Sequence, residues 1–304
     1  MSRLLFFVLS LFYCIFSAAT VQAQTLEPRA FSNAPVGMNF LAVGYQHSEG
    51  ALIFDPSLPV RDANSRVDTG LIGFVRTFGI AGNSAKFGAI VPYASLYADG
   101  YLADEFRSRD TSGLVDPSFY LSINVFGAPA LTAKEFSSYK QDTIIGFKLK
   151  VTAPYGDYDD DKLLNIGTNR WTIEPGLGIS KAIRSWTLET SIDAAFYTDN
   201  DDFDSGKTRE QENIYSTQFH LTYSFPNRTW LAISATYYTG GRTTIDNVIN
   251  ADLQQNWRTG FTLAMPVDRN HSIKLYGSSG VSTRTGSNYD TLGLAWQYRW
   301  GGGF

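Results

Sequence analysis

The sequence has 304 residues, of which 43% are hydrophobic, 14% aromatic and 18% charged, and its formal net charge at pH 7 is −4. The charged fraction lies below the roughly 25% that is usual in soluble domains. Yet only residues 4–19 approach the about 20 apolar residues that a transmembrane helix needs. This composition excludes a mature helical membrane protein and a disordered chain. It also argues against a nucleic-acid partner, which needs a concentrated basic surface.

The first 23 residues are predicted to form a signal peptide that is cleaved. Arg3 supplies the positive start, residues 4–19 the apolar segment, and Val21-Gln22-Ala23 the cleavage site. The alternative, a retained anchor helix, is disfavoured by the shortness of the apolar run. Cys14 is the only cysteine and falls within this peptide, so the mature protein is expected to lack disulfides and thiolate metal sites.

The mature chain is predicted to begin with a periplasmic lead-in at residues 24–35, followed by one barrel over residues 36–304. The lead-in is too short for a folded hatch domain. Pro28 and Pro35 restrict its conformations. Two interpretations stay open, a small stopper or a flexible segment.

From residue 36 onward, segments of about ten residues alternate apolar and polar side chains, separated by Gly-, Asp-, Asn- and Ser-rich stretches. In residues 114–126, for example, Phe119 and Leu121 fall on one face and Tyr120 and Asn124 on the other. Repeated alternation of this kind is typical of transmembrane β-barrels. It predicts strands at residues 36–47, 67–80, 85–97, 113–126, 141–153, 169–181, 186–198, 212–225, 229–240, 255–266, 271–281 and 289–300.

The predicted connections alternate in length, as they do in outer-membrane barrels with long outer loops and short periplasmic turns. Long polar segments lie at 48–66, 98–112, 154–168, 199–211 and 241–254, and tight turns at 81–84, 182–185, 226–228 and 267–270. A longer turn at 127–140 is predicted to hold a short helix, Ala130 to Phe136. The predicted fold class is therefore all-β: a transmembrane antiparallel β-barrel of about 12 strands in a bacterial outer membrane, with both termini in the periplasm.

All six tryptophans lie close to predicted strand ends, which favours two aromatic girdles at the headgroup level over packing in a core. They are Trp171, Trp186, Trp230, Trp257, Trp296 and Trp300.

The last strand has the pattern that the barrel assembly machinery recognises. The recognition residues are expected to be Gly293, Trp296, Tyr298 and the terminal Phe304. The expected partners are this machinery, outer-membrane lipid and lipopolysaccharide, and a small-molecule solute.

If the apolar face of each strand contacts lipid, the opposite face lines the lumen. Strand parity then predicts a lumen with interleaved acidic and basic side chains. The lumen-lining candidates are Asp116, Tyr120, Asn124, Lys148, Arg170, Glu174, Glu189, Asp193, His220, Arg258, Lys274 and Arg299. For any one charged residue, the alternative is a structural ion pair that fills a narrow barrel. As a set, the paired charges predict a midplane that is largely closed and conducts ions poorly.

The sequence assigns no catalytic residue and predicts that the protein is not an enzyme. The three histidines, His47, His220 and His271, have no serine in a glycine-rich nucleophile setting nearby. GxGxxG and P-loop motifs are absent from the sequence. No cofactor is therefore expected.

Acidic clusters at 157–161 and 199–204 suggest cation binding, but no metal ligand is assigned. An EF-hand that begins at Asp199 fails because Asp204 stands where glycine is required. Solvated outer loops are the favoured interpretation, and divalent bridging to lipopolysaccharide is the alternative.

Two stretches resemble motifs of a known family. Residues 29–40 (RAFSNAPVGMNF) resemble its N-terminal motif, and residues 165–171 (NIGTNRW) with 174–178 (EPGLG) resemble its central motif. The family comprises outer-membrane proteins named after the MetA-pathway of phenol degradation. The resemblance extends over essentially the whole mature chain. It implies a transporter-like barrel associated with uptake of aromatic or hydrophobic compounds.

The leading functional prediction is therefore an outer-membrane channel for passive uptake of small hydrophobic or aromatic compounds. The alternative is a non-transporting structural or adhesive barrel that acts through loops 154–168 and 199–211.

Overall fold

The computed structural model describes residues 27–53, 60–102 and 104–303. The strands and the one helix of these ranges are, in chain order, β1 (Met38–Ile53), β2 (Val60–Ile80), β3 (Asn83–Leu102), β4 (Glu105–Leu114), β5 (Ser118–Phe126), α1 (Ala133–Phe136), β6 (Thr143–Thr152), β7 (Thr172–Ile183), β8 (Trp186–Tyr197), β9 (Asn200–Phe203), β10 (Lys207–Gln211), β11 (Ile214–Ser224), β12 (Trp230–Gly240), β13 (Thr243–Ile245), β14 (Val248–Ile249), β15 (Gln254–Pro266), β16 (His271–Ser282) and β17 (Gly286–Gly301). The predicted signal peptide and Phe304 lie outside the described residues, so the predictions made for them stay predictions.

Thirteen of these strands form one antiparallel sheet that closes on itself. β1 pairs with β2 on one side and with β17 on the other. β4 and β5 both pair with β3 and together occupy a single, interrupted position in the wall. The wall is therefore a closed twelve-stranded antiparallel barrel, which confirms the predicted fold class.

The seam between the first and last strands is long and regular. β1 and β17 stay in register from Met38 opposite Gly301 to Ile53 opposite Gly286. Lipid offers no hydrogen-bond partners to an open strand edge, so only a closed wall satisfies its backbone groups.

The two faces of the wall differ as the alternating sequence predicts. Large apolar side chains are exposed on the outer face, including Ile72, Ile192 and Ile233. Small polar side chains are buried on the inner face, including Thr172 and Ser180. This apolar-out, polar-in arrangement is that of a barrel in lipid.

Aromatic pairs lie at both ends of the outer face. Trp186–Tyr223 and Tyr298–Trp300 lie at the periplasmic end and Tyr155–Trp171 and Tyr237–Trp257 at the outer end, with ring centroids 4.8, 5.3, 6.3 and 5.0 Å apart. Trp230 contradicts the predicted girdles. It lies on the inner face of β12, where the Arg29 guanidinium is 5.4 Å from its ring centroid.

A second sheet stands outside the wall, where the sequence predicted loops. β9, β10, β13 and β14 form a four-stranded antiparallel sheet in the order β14-β13-β10-β9. The prediction was wrong here because each of these strands is only two to five residues long, too short for a detectable alternation. Asp246 and Asn247 both have positive φ and make the tight turn between β13 and β14.

The first four wall positions also extend further than predicted. The segments predicted as loops at 48–66 and 98–112 are largely strand, because β1, β2, β3 and β4 continue outward as polar strands. The parts of these strands that extend beyond the membrane need no apolar face. The alternating pattern therefore predicts only the parts that lie within the membrane. The fourth predicted strand, 113–126, is interrupted before Ser118, next to Pro117, which lacks the N–H needed for strand pairing.

α1 occupies the C-terminal part of the predicted helix at 130–136. It begins later because Thr132 caps it: the Thr132 hydroxyl accepts from the Glu135 N–H, and the Glu135 carboxylate accepts from the Thr132 N–H at 2.9 Å. No helix within the described ranges has the length and apolarity needed to cross a membrane.

We expect the protein to fractionate with the outer membrane and to migrate differently on a gel before and after boiling. A closed barrel keeps its backbone hydrogen bonds in detergent at room temperature and loses them only when heated. Cell fractionation followed by a gel of heated and unheated samples measures both properties. A folded pool in the soluble periplasmic fraction would contradict the prediction.

Candidate functional site

The barrel interior contains three layers of buried groups. The N-terminal segment, residues 27–37, lies at the periplasmic end. A belt of charged and aromatic side chains follows in the middle of the wall. A cap built from residues 153–171 and the second sheet lies at the outer end.

The N-terminal segment crosses the interior from wall to wall. Lys86 on β3 donates from Nζ to the Ala30 carbonyl at 3.1 Å, while the Arg29 guanidinium faces the Trp230 ring on β12. β3 and β12 lie on opposite sides of the closed wall. On a third side, Glu189 of β8 accepts from the Ala30 N–H at 3.0 Å. The segment is therefore held against the inner wall on three sides.

Phe31 is the anchor of this segment and is 1% exposed. Its ring occupies a pit between Gly146 on β6 and Gly178 on β7, which are paired across the two strands. A Cβ atom at Gly178 would lie 2.1 Å from the ring, and one at Gly146 would lie 2.3 Å from it. Ile144 and Ala128 complete the apolar contact. Only glycines leave room for the ring at these two positions.

The junction between the segment and β1 is fixed by Thr77 on β2. The Thr77 hydroxyl donates to the Pro35 carbonyl at 2.5 Å and accepts from the Met38 N–H at 2.9 Å. The Thr77 carbonyl accepts from the Gly37 N–H at 2.9 Å, and the Leu131 carbonyl accepts from the Val36 N–H at 2.8 Å. These bonds fix residues 35–38 to β2, whereas residues 27–34 are held by the pit and by side-chain contacts with Lys86, Glu189 and Trp230.

The middle of the interior holds two ion pairs. Lys148 Nζ lies 3.1 Å from Asp193 Oδ1, and Lys150 Nζ lies 3.2 Å from Glu174 Oε1. The first pair passes over Gly176 on β7, where a Cβ atom would lie 1.9 Å from the Asp193 carboxylate. These four acids and amines occupy the inward faces of β6, β7 and β8, and each pair reduces the cost of burying its charges.

Two tyrosine rings lie flat against the inner wall. A Cβ atom at Gly88 would lie 2.2 Å from the Tyr120 ring, and one at Gly293 would lie 2.2 Å from the Tyr276 ring. Each tyrosine is paired with its glycine across neighbouring strands. The rings therefore cover the glycine backbone and do not project across the interior.

The remaining inward candidates each make at least one hydrogen bond or ring contact. Asn124 donates to Ser84, and His220 shares a hydrogen bond with Ser234. Arg258 donates to Ser278 and to the Tyr289 carbonyl. Lys274 faces the Trp230 ring at 6.0 Å, and Arg299 donates to the Arg269 carbonyl. Arg258 and Lys274 contact hydroxyl, carbonyl or ring groups. Pairing with acids is therefore seen for Lys148 and Lys150 on β6, each with an acid one or two strands away.

Asp116 lies in the cap, at the interruption between β4 and β5. Its carboxylate accepts from the Gly156 N–H at 2.8 Å and from the Thr168 N–H and hydroxyl at 2.7 and 2.6 Å. This clamp folds residues 153–171 over the mouth, where Leu164 and Ile166 pack against the inner faces of β2 and β3. The predicted solvated loop is thus partly buried.

Arg170 also lies in the cap, at the outer end of β7, and is 2% exposed. It donates to the Gln211 side chain on β10 and lies 4.5 Å from the centre of the Tyr197 ring. Arg209, two residues before Gln211 on the same strand, is 6% exposed.

The histidine and acidic clusters considered for chemistry are placed apart from one another. His47 Nδ1 lies 2.7 Å from Asp68 Oδ1, but Ser48 is on the opposite face, where its hydroxyl bonds to Thr291. The carboxylates of residues 159–161 lie within 4.8 Å of one another and are all exposed. Neither group forms a nucleophile site or a buried ligand cage.

Sequence reasoning missed several residues that define the interior. Phe31 belongs to the N-terminal motif, but nothing in one sequence shows that its partners are Gly146 and Gly178. Arg209 lay in a predicted loop. Lys86 was overlooked although it lies on the inward face of a strand, and parity alone would have found it.

The fold and its polar interior are those of a bacterial outer-membrane β-barrel. The chain is similar to the crystal structure of an outer membrane channel from Pseudomonas putida F1, with a TM-score of 0.77 and 22% identity over 91% of this chain and 100% of that one. It is also similar to the transport unit of the autotransporter AIDA-I from Escherichia coli, with a TM-score of 0.54 and 11% identity over 91% of this chain and 94% of that one. A third similar structure is the translocator domain of the autotransporter NalP from Neisseria meningitidis, with a TM-score of 0.52 and 10% identity over 90% of this chain and 91% of that one.

Sequence comparison defines the family. The model of the family described as "Putative MetA-pathway of phenol degradation" matches residues 52–299, and the chain belongs to this family. This confirms the resemblance found in the sequence. No curated protein matches the chain.

We expect Gly178→Val to expel Phe31 from its pit and release the N-terminal segment, because overpacking costs about 1–3 kcal/mol. The measurement is the rate of thiol labelling at Ser32→Cys, which should rise roughly tenfold or more. Gly70→Val is the matched control, since a Cβ atom there meets nothing within 4 Å. Equal labelling rates in the two backgrounds would show that Phe31 does not hold the segment.

Proposed function

We propose that the protein is a passive outer-membrane channel for small aromatic or hydrophobic solutes. The observation that carries this proposal is the way the interior is blocked. The periplasmic end is filled by a separate chain segment, whereas two wall tyrosines lie flat against glycines. A barrel with a purely structural role would need no chain segment folded into its interior. The family, and the description of the similar Pseudomonas putida protein as a channel, support the same function.

The proposed path runs along the inner wall of the barrel. The Tyr120 and Tyr276 rings offer apolar faces to an aromatic solute, and their hydroxyls leave a polar edge. The Lys148–Asp193 and Lys150–Glu174 pairs keep net charge low on this side, which favours neutral or singly charged solutes over free ions. Passage requires residues 27–34 to move while residues 35–38 stay bonded to Thr77. The proposal assigns no catalytic residue and no cofactor.

We expect liposomes that contain the protein to take up labelled benzyl alcohol and benzoate faster than protein-free liposomes. Gly178→Val should raise the uptake rate further, because the released segment no longer fills the periplasmic end. Gly70→Val serves again as the control. Uptake no faster than in protein-free liposomes, for both wild type and Gly178→Val, would rule out the channel.

The charge pairing generates a separate expectation for ions. Replacing Glu174 and Glu189 together by Gln leaves Lys150 without its acid partner and removes the negative charge that faces Lys86 and Ala30. Anion conductance in planar bilayers should then rise several-fold above the low wild-type value. The control is Asp104→Asn with Glu105→Gln, which removes two exposed charges at the outer end of β4. A porin-sized wild-type conductance that the double substitution leaves unchanged would refute the inward placement of these acids.

The second candidate is a non-transporting barrel that acts through its outer surface. The four-stranded sheet of β9, β10, β13 and β14 favours it, because this sheet presents the exposed Val248 and Ile249 away from the wall. The liposome measurement separates the two candidates. In either case, we propose that β17 is the strand read by the assembly machinery, through Gly293, Trp296 and Tyr298, and that the outer face contacts lipid and lipopolysaccharide.

A further inference from the structure

Two buried arginines of the cap form no salt bridge with an acid of the described residues. Arg170 is 2% exposed and Arg209 6%. Across the ranges 27–53, 60–102 and 104–303, no carboxylate oxygen lies within 4 Å of either guanidinium. Buried guanidinium groups are normally paired, because removing a lone charge from water is costly.

The two side chains lie on the same side of the second sheet. Arg209 and Gln211 are two residues apart on β10, so they share one face with Cα atoms about 7 Å apart. The Gln211 side-chain oxygen accepts from Nη2 of Arg170. Gln211 therefore holds the Arg170 guanidinium on the face from which Arg209 also projects.

Several donors of this pair are unused. Nε and Nη1 of Arg170 and Nε of Arg209 are buried without a hydrogen-bond partner among the described residues. The guanidinium of Arg170 lies 4.5 Å from the Tyr197 ring centroid, and that of Arg209 lies 5.3 Å from the Phe203 ring centroid. Ring faces attract cations weakly and use none of the N–H groups. An anion would use them.

The electrostatics of the pair agree with this geometry. Arg170 stands before the first residue of β7, outside the wall, and burial, followed by the positive charge of Arg209, lowers its pKa to about 9, although Asp116 acts in the opposite direction. Burial also lowers the pKa of Arg209, against the negative charge of Asp252. The guanidinium is still charged at neutral pH. Two like charges that repel each other in a buried position are relieved by one negative charge between them.

We propose that Arg170 and Arg209 form a binding site for the carboxylate of a small aromatic acid. A planar carboxylate matches the fork of N–H donors that each guanidinium presents. The rings of Tyr197 and Phe203 border the two guanidiniums and offer apolar contact to the aromatic part of the ligand. This inference rests on the proposed function and narrows its solute class to organic acids.

The site lies at the outer entrance of the proposed path. Arg170 has the same strand parity as Glu174, which points inward on β7 and pairs with Lys150. An acid released from Arg170 would next meet Lys150 and then Lys148, both on the inward face of β6. The cap therefore selects the anion, and the amines below it provide the following contacts.

Titration calorimetry on the folded protein in detergent tests the site, with sodium benzoate as the probe and benzamide as its neutral isostere. We expect wild type to bind benzoate and to bind benzamide at least tenfold more weakly. Arg170→Gln and Arg209→Gln should each weaken benzoate binding about tenfold or more, the effect of one charge-assisted hydrogen bond. Arg107→Gln is the matched control, because Arg107 is exposed in the outer part of the molecule and loses the same charge.

Wild-type protein supplies a readout that does not depend on the folding of variants. Benzoate should raise the temperature to which a sample must be heated before the gel band of the folded barrel disappears, and benzamide should not. Inorganic phosphate is the third probe, and binding of phosphate in preference to benzoate would overturn the carboxylate assignment. Equal binding of benzoate and benzamide, no binding of benzoate, or an equal loss in Arg107→Gln would also overturn it.

The site and the channel fail in different ways. If benzoate does not bind but benzyl alcohol still enters liposomes through the protein, the anion site is refuted and the channel stands. If benzoate binds with the expected dependence on Arg170 and Arg209 but no solute crosses, the channel is refuted and the site stands.

Discussion

The hydrogen-bonded seam between β1 and β17 is the constraint on which the rest of the structure depends. Lipid cannot satisfy a free strand edge, so the sheet must close, and closure encloses a space whose width is set by twelve wall positions. The strand faces that line this space are shielded from lipid and can carry polar and charged groups. The buried threonines and serines, the lysine–carboxylate pairs and the N-terminal segment all lie in this enclosed space.

Glycine on the inward face of β6 and β7 determines which groups can meet. Gly146 and Gly178 leave the pit for Phe31, and Gly176 lets the Lys148–Asp193 pair pass over β7. Side chains at these positions would separate the segment from the wall and the base from its acid. The space left by three missing Cβ atoms thus admits both the Phe31 ring of the N-terminal segment and the Lys148–Asp193 pair.

Strand parity predicted the closed wall, its polar interior and most of its strand positions, because alternation over ten residues is a direct consequence of having lipid on one side. It could not predict the outer extensions of β1 to β4, where water replaces lipid and the alternation stops. Short strands such as β13 and β14 have too few residues to show a period. Contacts that join distant positions, such as Phe31 with Gly178 or Arg170 with Gln211, leave no local signal. Asp116 was placed inward by parity, yet its role in clamping residues 153–171 depends on a loop that folds back over it.

The position of the N-terminal segment has a consequence for biogenesis. Residues 27–37 run directly into β1, and β1 is one of the two strands whose pairing completes the wall. Once β1 and β17 have joined, the Phe31 ring can reach its pit only through the periplasmic opening, past Lys86 and Glu189. The segment therefore enters most readily while the wall is still an open sheet. The short chain distance between Phe31 and Met38 therefore favours an order of folding in which the N-terminal segment docks before β1 and β17 pair.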